Sequence, residues 1–522
     1  MFNISPINSS FRAYHINQKH QPRRLLATTR LVFLVYEEAY AGSLYDYLVY
    51  PGSVMYNRRM TISDNRRFIS EMEDFFSSKL PITLGVNKKN ELIRLSYEIC
   101  RAREFTFSEF TKQIDLKNII NGGKSGFFHR LKSVLMEIRY PSLVPPDEPH
   151  LMPLKIDMES EERGVWNGKL NPVKILIEKS VRGKEWTDNF IEKFSDVEIV
   201  EIKNLTEGLK KISNTSGKNL YNLRRSHVFL AKTKTTFIKI CPCTKGCRRC
   251  GYWILNVGFG CPMDCSYCYL QTYSNAPGVI FSANIEDYYK HIENFDRSLT
   301  KKVRIGTGEF TDSLAFDEYT AYSTKLVPFF RNMKNLVLEL KTKVNKIDNV
   351  LKTEPNDNVV ISWSVNTEKM AQKYEKGAPK VKERARAALL AARRGYKIGF
   401  HFDPMIYYDG WENEYRESVR KLFSFKEIRK NTVWISLGTL RYTPGLKQTA
   451  EKRFSDNTMF YQGEFFADSD GKMRYKKHIR IDMYNKMISW IRSFKIDTWI
   501  YLCMESEDVW RKTSLSKKDY SF

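Results

Sequence analysis

Seven short apolar runs in the second half of the chain constrain its fold more than any other feature. They are YWILNVG (252–258), VRIGT (303–307), LVLELKT (336–342), VVISWSV (359–365), KIGFHFD (397–403), VWISLGT (433–439) and WIYLCME (499–505). Each is rich in β-branched or aromatic residues and has the length of a buried strand. Amphipathic helical stretches fit between most of them. The clearest, KVKERARAALLAARRG, is Ala-rich, puts Arg393 and Arg394 in its last turn and ends on Gly395 as a C-terminal cap. Strands alternating with helices imply parallel pairing through crossovers. The predicted fold class is therefore α/β: a full or partial parallel (β/α) barrel, with its chemistry at the C-terminal strand ends.

Upstream the pattern changes. VKILIEKSV, VEIVEIK and HVFLAKT are short apolar runs with helical stretches between them. They predict a small α/β lobe over 172–237, ahead of a barrel over 238–513 and a basic tail at 514–522. Residues 1–153 read as a basic, mainly helical region that ends in a Pro-rich linker, YPSLVPPDEPHLMP (140–153). Within it, FTFSEFTKQIDLKNIINGGKSGFFHRLKSVLMEI reads as two helices around a Gly-Gly turn, a plain helical hairpin. The alternative is a helix-turn-helix with Lys124, Arg130 and Lys132 facing phosphates. GGKS is not a phosphate loop, because Asn118 stands where the first Gly is required and no strand precedes it.

Charge narrows the partners. The 522 residues carry 85 Lys+Arg against 60 Asp+Glu, a net +25. That points to a polyanion, DNA or another nucleic acid first, with a merely solvated Lys-rich surface as an equal alternative. No apolar run approaches the roughly 20 residues of a membrane span. The best candidate, LVFLVYEEAYAG, is broken by two glutamates. MFNISPINSSFRAYHINQKHQPRR has no apolar core of a secretory signal and reads as a disordered leader, so a cytoplasmic protein is expected. Thiols stay reduced there, and disulfides become the least favoured use of the cysteines.

Seven of the nine cysteines lie between Cys241 and Cys268. Cys261, Cys265 and Cys268 are spaced C-x3-C-x2-C just after the first barrel run. Three thiolates on one loop can hold three irons of a 4Fe–4S cluster and leave the fourth iron open. A structural zinc wants a closed set of four ligands. Cys241, Cys243, Cys247 and Cys250, spaced C-x-C-x3-C-x2-C, form a candidate second metal site, for zinc or an auxiliary cluster. Lys245, Arg248 and Arg249 would offset its thiolate charge. Reduced structural thiols are the alternative there.

The three-cysteine loop after the first strand resembles the radical S-adenosylmethionine (SAM) superfamily. The longer text GFGCPMDCSYCYLQTY is similar to the spore photoproduct lyase family. RIGTGEFTDSLAFD, LELKTK, ISWSVN, GFHFDPMIYYDGWENEY, WISLGTLRY and YLCMESEDVW support it, and the likeness runs from about 172 to 513. The resemblance implies a partial barrel, a 4Fe–4S cluster whose open iron binds SAM, and a 5′-deoxyadenosyl radical that takes a hydrogen atom from substrate. It also implies a reductant such as flavodoxin or ferredoxin.

By the same resemblance, Gly306, Gly308 and Glu309 in GTGEF would meet the methionine end of SAM, the glycines letting backbone approach it. Lys343 and Ser364 match positions that hold its carboxylate or ribose. Tyr267 and Tyr269 would relay or contain the radical, or simply pack beside the cluster. His401, Asp403 and Arg441 end strands and should face the pocket mouth, where the His-x-Asp could be an acid/base or a satisfied structural pair. One departure stands out. The family carries a hydrogen-donor Cys in a CTSD-like segment after the second strand, and this chain has FTDS with Phe310 in that place. Cys503, at the end of the last run, is a candidate replacement or a plain core thiol. Three functions stay open: radical SAM chemistry on a DNA photolesion or other nucleic acid, the same chemistry on a peptide or small molecule, and a non-catalytic iron–sulfur protein that binds nucleic acid.

Overall fold

Parallel strands buried on both faces read as unbroken apolar runs, and the seven runs all become strands. The computed structural model describes residues 62–144, 165–215, 220–234, 237–273, 276–454 and 456–520. The leader, the run LVFLVYEEAYAG and most of the Pro-rich linker lie outside the described residues.

The first strands in chain order are β1 (Lys174–Glu178), β2 (Glu198–Ile202), β3 (His227–Ala231), β4 (Ile238–Ile240), β5 (Trp253–Leu255), β6 (Gly258–Phe259), β7 (Asp264–Cys265) and β8 (Val279–Ser282). Then come β9 (Val303–Gly306), β10 (Leu336–Thr342), β11 (Val359–Ser364), β12 (Glu375–Lys376), β13 (Lys397–Met405) and β14 (Thr432–Thr439). Last are β15 (Arg441–Tyr442), β16 (Phe465–Ala467), β17 (Met473–Tyr475) and β18 (Trp499–Leu502). The main sheet runs β18-β14-β13-β11-β10-β9-β5-β4. It is parallel from β5 to β18, and only β4, at one edge, is antiparallel. All six residues of β11 are buried. Helices such as Val381–Arg394, capped by Gly395 in the left-handed conformation, cover the strands. The curled sheet is a half-barrel rather than a closed one.

Its two edges meet through the segment after β4. Cys247 forms an antiparallel bridge with Ser506, just past β18. The Arg248 amide donates to Glu505 O at 2.8 Å, and its guanidinium reaches Glu507 at 2.6 Å and Tyr520 O at 2.8 Å. The cysteine-rich stretch thus laces the seam of the half-barrel.

The small lobe is a five-stranded sheet of order β2-β1-β3-β8-β6. It reaches beyond 172–237 because the chain leaves β5, crosses into this sheet as β6, and returns to it as β8 after the cysteine loop. The loop therefore leaves from and returns to the small-lobe sheet.

The described part of the N-terminal region is helical: α1 (Ile62–Lys79), α2 (Val86–Arg103), α3 (Phe107–Lys112), α4 (Leu116–Asn121) and α5 (Phe127–Arg139). The segment read as two helices is three. Thr106 and Glu109 form a capping box that starts α3, and the Asp115 carboxylate accepts from the Asn118 amide to start α4. Arg130 donates to Ile119 O at 3.2 Å and Ser125 O at 2.8 Å, tying off the end of α4, and Lys132 pairs with Glu91 at 2.5 Å. Two of the three cations of the helix-turn-helix alternative are thus engaged within the helices.

Residues Leu92 to Arg101 of α2 are buried throughout. Three cations surround Glu98: Arg94 at 3.2 Å, Arg139 at 3.3 Å and Lys447 at 2.9 Å. Arg101 donates to Asn457 at 2.7 Å, and Tyr97 packs edge-on to Tyr461. Among the described residues no helix is long and apolar enough to cross a membrane.

Candidate active site

The cysteine loop is fixed by two adjacent arginines that the sequence did not mark as functional. Arg224 Nε donates to Cys261 O at 3.0 Å and Arg225 Nε to Pro262 O at 2.8 Å, and both guanidinium groups grip the Asp264 carboxylate. The only signal was the Arg-Arg pair itself, just before an apolar run. Cys268 N donates to Cys265 O at 3.0 Å, and Gly260 N to Phe310 O at 2.8 Å. Across the loop, β7 pairs antiparallel with β12, setting Cys265 opposite Glu375.

Burial raises all three thiols above their ordinary range, Cys261 to about 12. A buried thiol in that state favours a proton or a metal cation over a bare thiolate. Among the described residues no three His, Cys, Asp or Glu side chains converge closely enough to hold one metal ion. The three loop thiols act on one another electrostatically, and three thiols on one loop can each take a separate iron. The donor set fits a 4Fe–4S cluster with one open iron.

Tyr267 and Tyr269 tie the loop to its surroundings. Tyr267 donates its hydroxyl to Glu375, which is paired with Arg384 at 2.5 Å. The Lys343 ammonium lies 5.7 Å from the Tyr267 ring centroid. Burial alone would lower the Lys343 pKa, but Cys265 and Glu375 beside it raise it. Tyr269 donates to Glu309 O at 2.5 Å, joining the loop to the segment after β9, and it lies edge-on to exposed Tyr273. Asp312 organises that segment against the end of β10. It accepts from Leu314 N (3.0 Å), Ala315 N (2.9 Å), Thr342 Oγ1 (2.6 Å) and Lys343 N (2.7 Å). Buried Ser364 ends β11, and its carbonyl accepts from Arg384 Nη1 at 3.0 Å.

The two glycines of GTGEF sit close to the chain's own atoms. A Cβ on Gly306 would lie 1.8 Å from Tyr252 Oη, and one on Gly308 would lie 3.0 Å from Lys341 O. Internal packing thus accounts for glycine at 306. Gly306→Ala is expected to cost about 1–3 kcal/mol by overpacking. Thermal denaturation should show the loss, and Tyr252→Phe, which removes the clashing hydroxyl, should recover part of it.

His401 and Asp403 do not act as one pair. His401 Nε2 lies 2.7 Å from Glu339 Oε1, which also accepts from Trp434 Nε1 at 2.8 Å. Burial holds the His401 ring below its usual pKa against the pull of Glu339. Asp403 instead takes both ends of Arg441, at 2.9 and 3.2 Å. Arg441 Nη2 is 3.5 Å from Cys503 Sγ, so Asp403, Arg441 and Cys503 form a row across the ends of β13, β14 and β18. Phe310 is buried against Phe259, with the Lys239 ammonium 4.1 Å from its ring centroid.

The four upstream cysteines do not come together. Cys241 and Cys243 face each other with 3.8 Å between sulfurs. Cys247 is in the seam bridge and feels Arg474 and Asp470, while Cys250 feels Arg304 and Cys243, and no three of the four converge on one ion among the described residues.

A half-barrel with three thiols on its cysteine loop is a recognisable combination, and the model of one family, "Spore photoproduct lyase", matches residues 170–497. The chain belongs to the spore photoproduct lyase family. This places it among radical SAM enzymes. The spore photoproduct lyase of Clostridium acetobutylicum is 23% identical over 235 residues, 45% of this chain and 69% of that protein. That of Bacillus subtilis is 24% identical over 220 residues, 42% of this chain and 62% of that protein. A spore photoproduct lyase double mutant with bound AdoMet and dinucleoside spore photoproduct shares the fold: TM-score 0.55 at 20% identity, over 64% of this chain and 99% of that one. A spore photoproduct lyase complexed with dinucleoside spore photoproduct matches equally, with TM-score 0.55 and 20% identity over 64% of this chain and 99% of that chain.

Proposed function

We propose that this chain binds a 4Fe–4S cluster through Cys261, Cys265 and Cys268, binds SAM beside it, and acts on a thymine photolesion in DNA. When bound, the cluster supplies the electron that splits SAM into methionine and a 5′-deoxyadenosyl radical, which takes a hydrogen atom from substrate. The observation that carries this reading is the Tyr269 hydroxyl on Glu309 O, which binds the three-thiol loop to the segment after β9.

Around that junction the residues divide the work. Glu309 accepts from the SAM ammonium, with Gly306 and Gly308 shaping the turn beside it. Lys343 and Ser364 hold the carboxylate or ribose. Tyr267, clamped by Glu375, keeps the loop dry and fixed. Exposed Tyr269 is the side chain best placed to meet substrate. Arg441 and Cys503 line the far strand ends, where the thiol would return a hydrogen atom, and His401 is held apart from them by Glu339. Of the upstream thiols, Cys247 serves the seam, and Cys241, Cys243 and Cys250 are read as reduced thiols rather than ligands of a zinc or auxiliary cluster. The net charge of +25 suits DNA. The reductant would be a flavodoxin or ferredoxin, in a reducing cytoplasm.

Phe310 favours a second reading. An aromatic ring locked under Lys239 occupies the donor's place, which fits radical SAM chemistry on another substrate. One experiment separates the readings. The full chain is reconstituted anaerobically with iron and sulfide, then given dithionite, SAM and an oligonucleotide containing spore photoproduct. Expected are a SAM-perturbed cluster EPR signal, 5′-deoxyadenosine and repaired thymines. Deoxyadenosine without repair supports the second reading, and a cluster indifferent to SAM overturns both.

A further inference from the structure

A surface pocket of about 620 Å³ lies against β12. Its lining comes from the helix Glu368–Tyr374, the turn through Gly377 and Pro379, the start of the helix Val381–Arg394, and Lys421. Four lysines line it: Lys376, Lys380, Lys382 and Lys421. Lys380, Lys382 and Lys421 are exposed. The two acids in the lining are occupied within the chain. Glu375 is buried against Arg384 at 2.5 Å, and Glu368 accepts from the Val381 and Lys382 amides at 3.3 and 2.7 Å. Glu417, the acid next to Lys421, is shared between Arg420 at 2.6 Å and Lys421 at 3.5 Å. The pocket is a positive patch.

Its position gives the charge a use. Lys376 lines the pocket, and the residue before it, Glu375, stands directly opposite Cys265 in the β12–β7 pair. Cys265 is buried, so a partner cannot touch it. The pocket floor is the nearby surface joined to it by a strand pair. The lining belongs to the helical layer rather than to the strand ends where substrate would enter.

We propose that this pocket docks an acidic one-electron carrier protein, of flavodoxin or ferredoxin type, and is the entry point for the electron that reduces the cluster. The proposal rests on the reading above that Cys261, Cys265 and Cys268 hold a reducible cluster. Each encounter passes one electron: the carrier's reduced flavin or iron–sulfur centre is oxidised and the cluster is reduced, with no bond made or broken. Lysines steer the acidic carrier at low salt.

The test uses the full reconstituted chain and a triple variant, Lys380→Glu, Lys382→Glu and Lys421→Glu, with the exposed triple Lys290→Glu, Lys301→Glu and Lys302→Glu as a charge-matched control. Stopped-flow bleaching of the cluster is followed with reduced flavodoxin and, separately, with dithionite. The triple variant should lose about tenfold or more in second-order rate with flavodoxin at low ionic strength. The gap should close in high salt, and dithionite should reduce both proteins alike. Equal flavodoxin rates in variant and wild type would overturn the proposal. So would an unchanged flavodoxin rate joined to weaker DNA binding, which would assign the patch to nucleic acid. If dithionite reduces no cluster even in the wild type, the cluster reading falls and the docking proposal with it, an outcome distinct from a normal cluster with an indifferent patch.

Discussion

Cys265→Ala is expected to bring 5′-deoxyadenosine formation down to assay background and to leave the reconstituted chain short of one cluster's iron and sulfide. Cys265 is the most deeply set of the three loop thiols. It lies in β7, opposite Glu375, with its carbonyl accepting from both Cys268 N and Gln271 Nε2. The loop has no spare thiolate to substitute, because its other two cysteines, Cys261 and Cys268, already belong to the proposed ligand set. The fold should survive, since the loop backbone is held by Arg224 and Arg225 rather than by the sulfur. Iron and sulfide analysis, EPR and circular dichroism on one preparation decide the matter. A variant that keeps both cluster and deoxyadenosine would remove Cys265 from the ligand set. Glu375→Gln should act one step out. It weakens the clamp on Tyr267 and leaves Arg384 buried without its charge partner, and an outer-shell loss of about 10–100-fold is expected.

Glu98→Ala should be the most destabilising single change in the described N-terminal helices. The carboxylate is 2% exposed and faces three cations from α2, α5 and the far half of the barrel. Removing it leaves buried positive charges facing one another, which costs about 3–5 kcal/mol. Urea denaturation followed by intrinsic tryptophan fluorescence reads the effect. A shift under about 1 kcal/mol would mean that the network is no more than an exposed ion pair in its worth.

The same group makes a pH prediction. Burial alone would raise the Glu98 carboxyl, but Lys447, Arg94 and Arg139 together hold it well below the usual carboxylate range. The unfolded chain, with a Glu near its ordinary value of about 4.3, then binds more protons than the folded one as acid is added. The stabilisation is therefore complete above about pH 5 and fades as pH falls through the carboxylate range. Wild type should lose stability on acidification from pH 6 to 4 more steeply than Glu98→Gln does.

These two residues mark what a single sequence yields and what it withholds. The cysteine loop was legible because three cysteines fall within eight residues, and the strands because burial on both faces writes continuous apolar runs. The ends of the helix Val381–Arg394 were legible for the same local reason. Glu98 was not, because its partner Lys447 lies 349 residues away and nothing in either neighbourhood names the other. The same holds for Arg224 and Arg225 on Asp264, and for the choice of Glu339 over Asp403 as the partner of His401. The division of the N-terminal segment into three helices had a local signal that was passed over: Thr106 followed three residues later by Glu109 is a capping box in plain text.

The lacing of β4 to the far edge has a consequence for how the protein behaves in solution. A half-barrel, unlike a closed one, ends in two strands whose outer amides and carbonyls can recruit another chain. Cys247 and Arg248 occupy backbone groups just past one such strand, and the Arg248 side chain is folded between Trp510 and Tyr520. The stretch that looks most like a metal knuckle is also a guard against strand-to-strand self-association. Chains disturbed there should polymerise before they lose their fold.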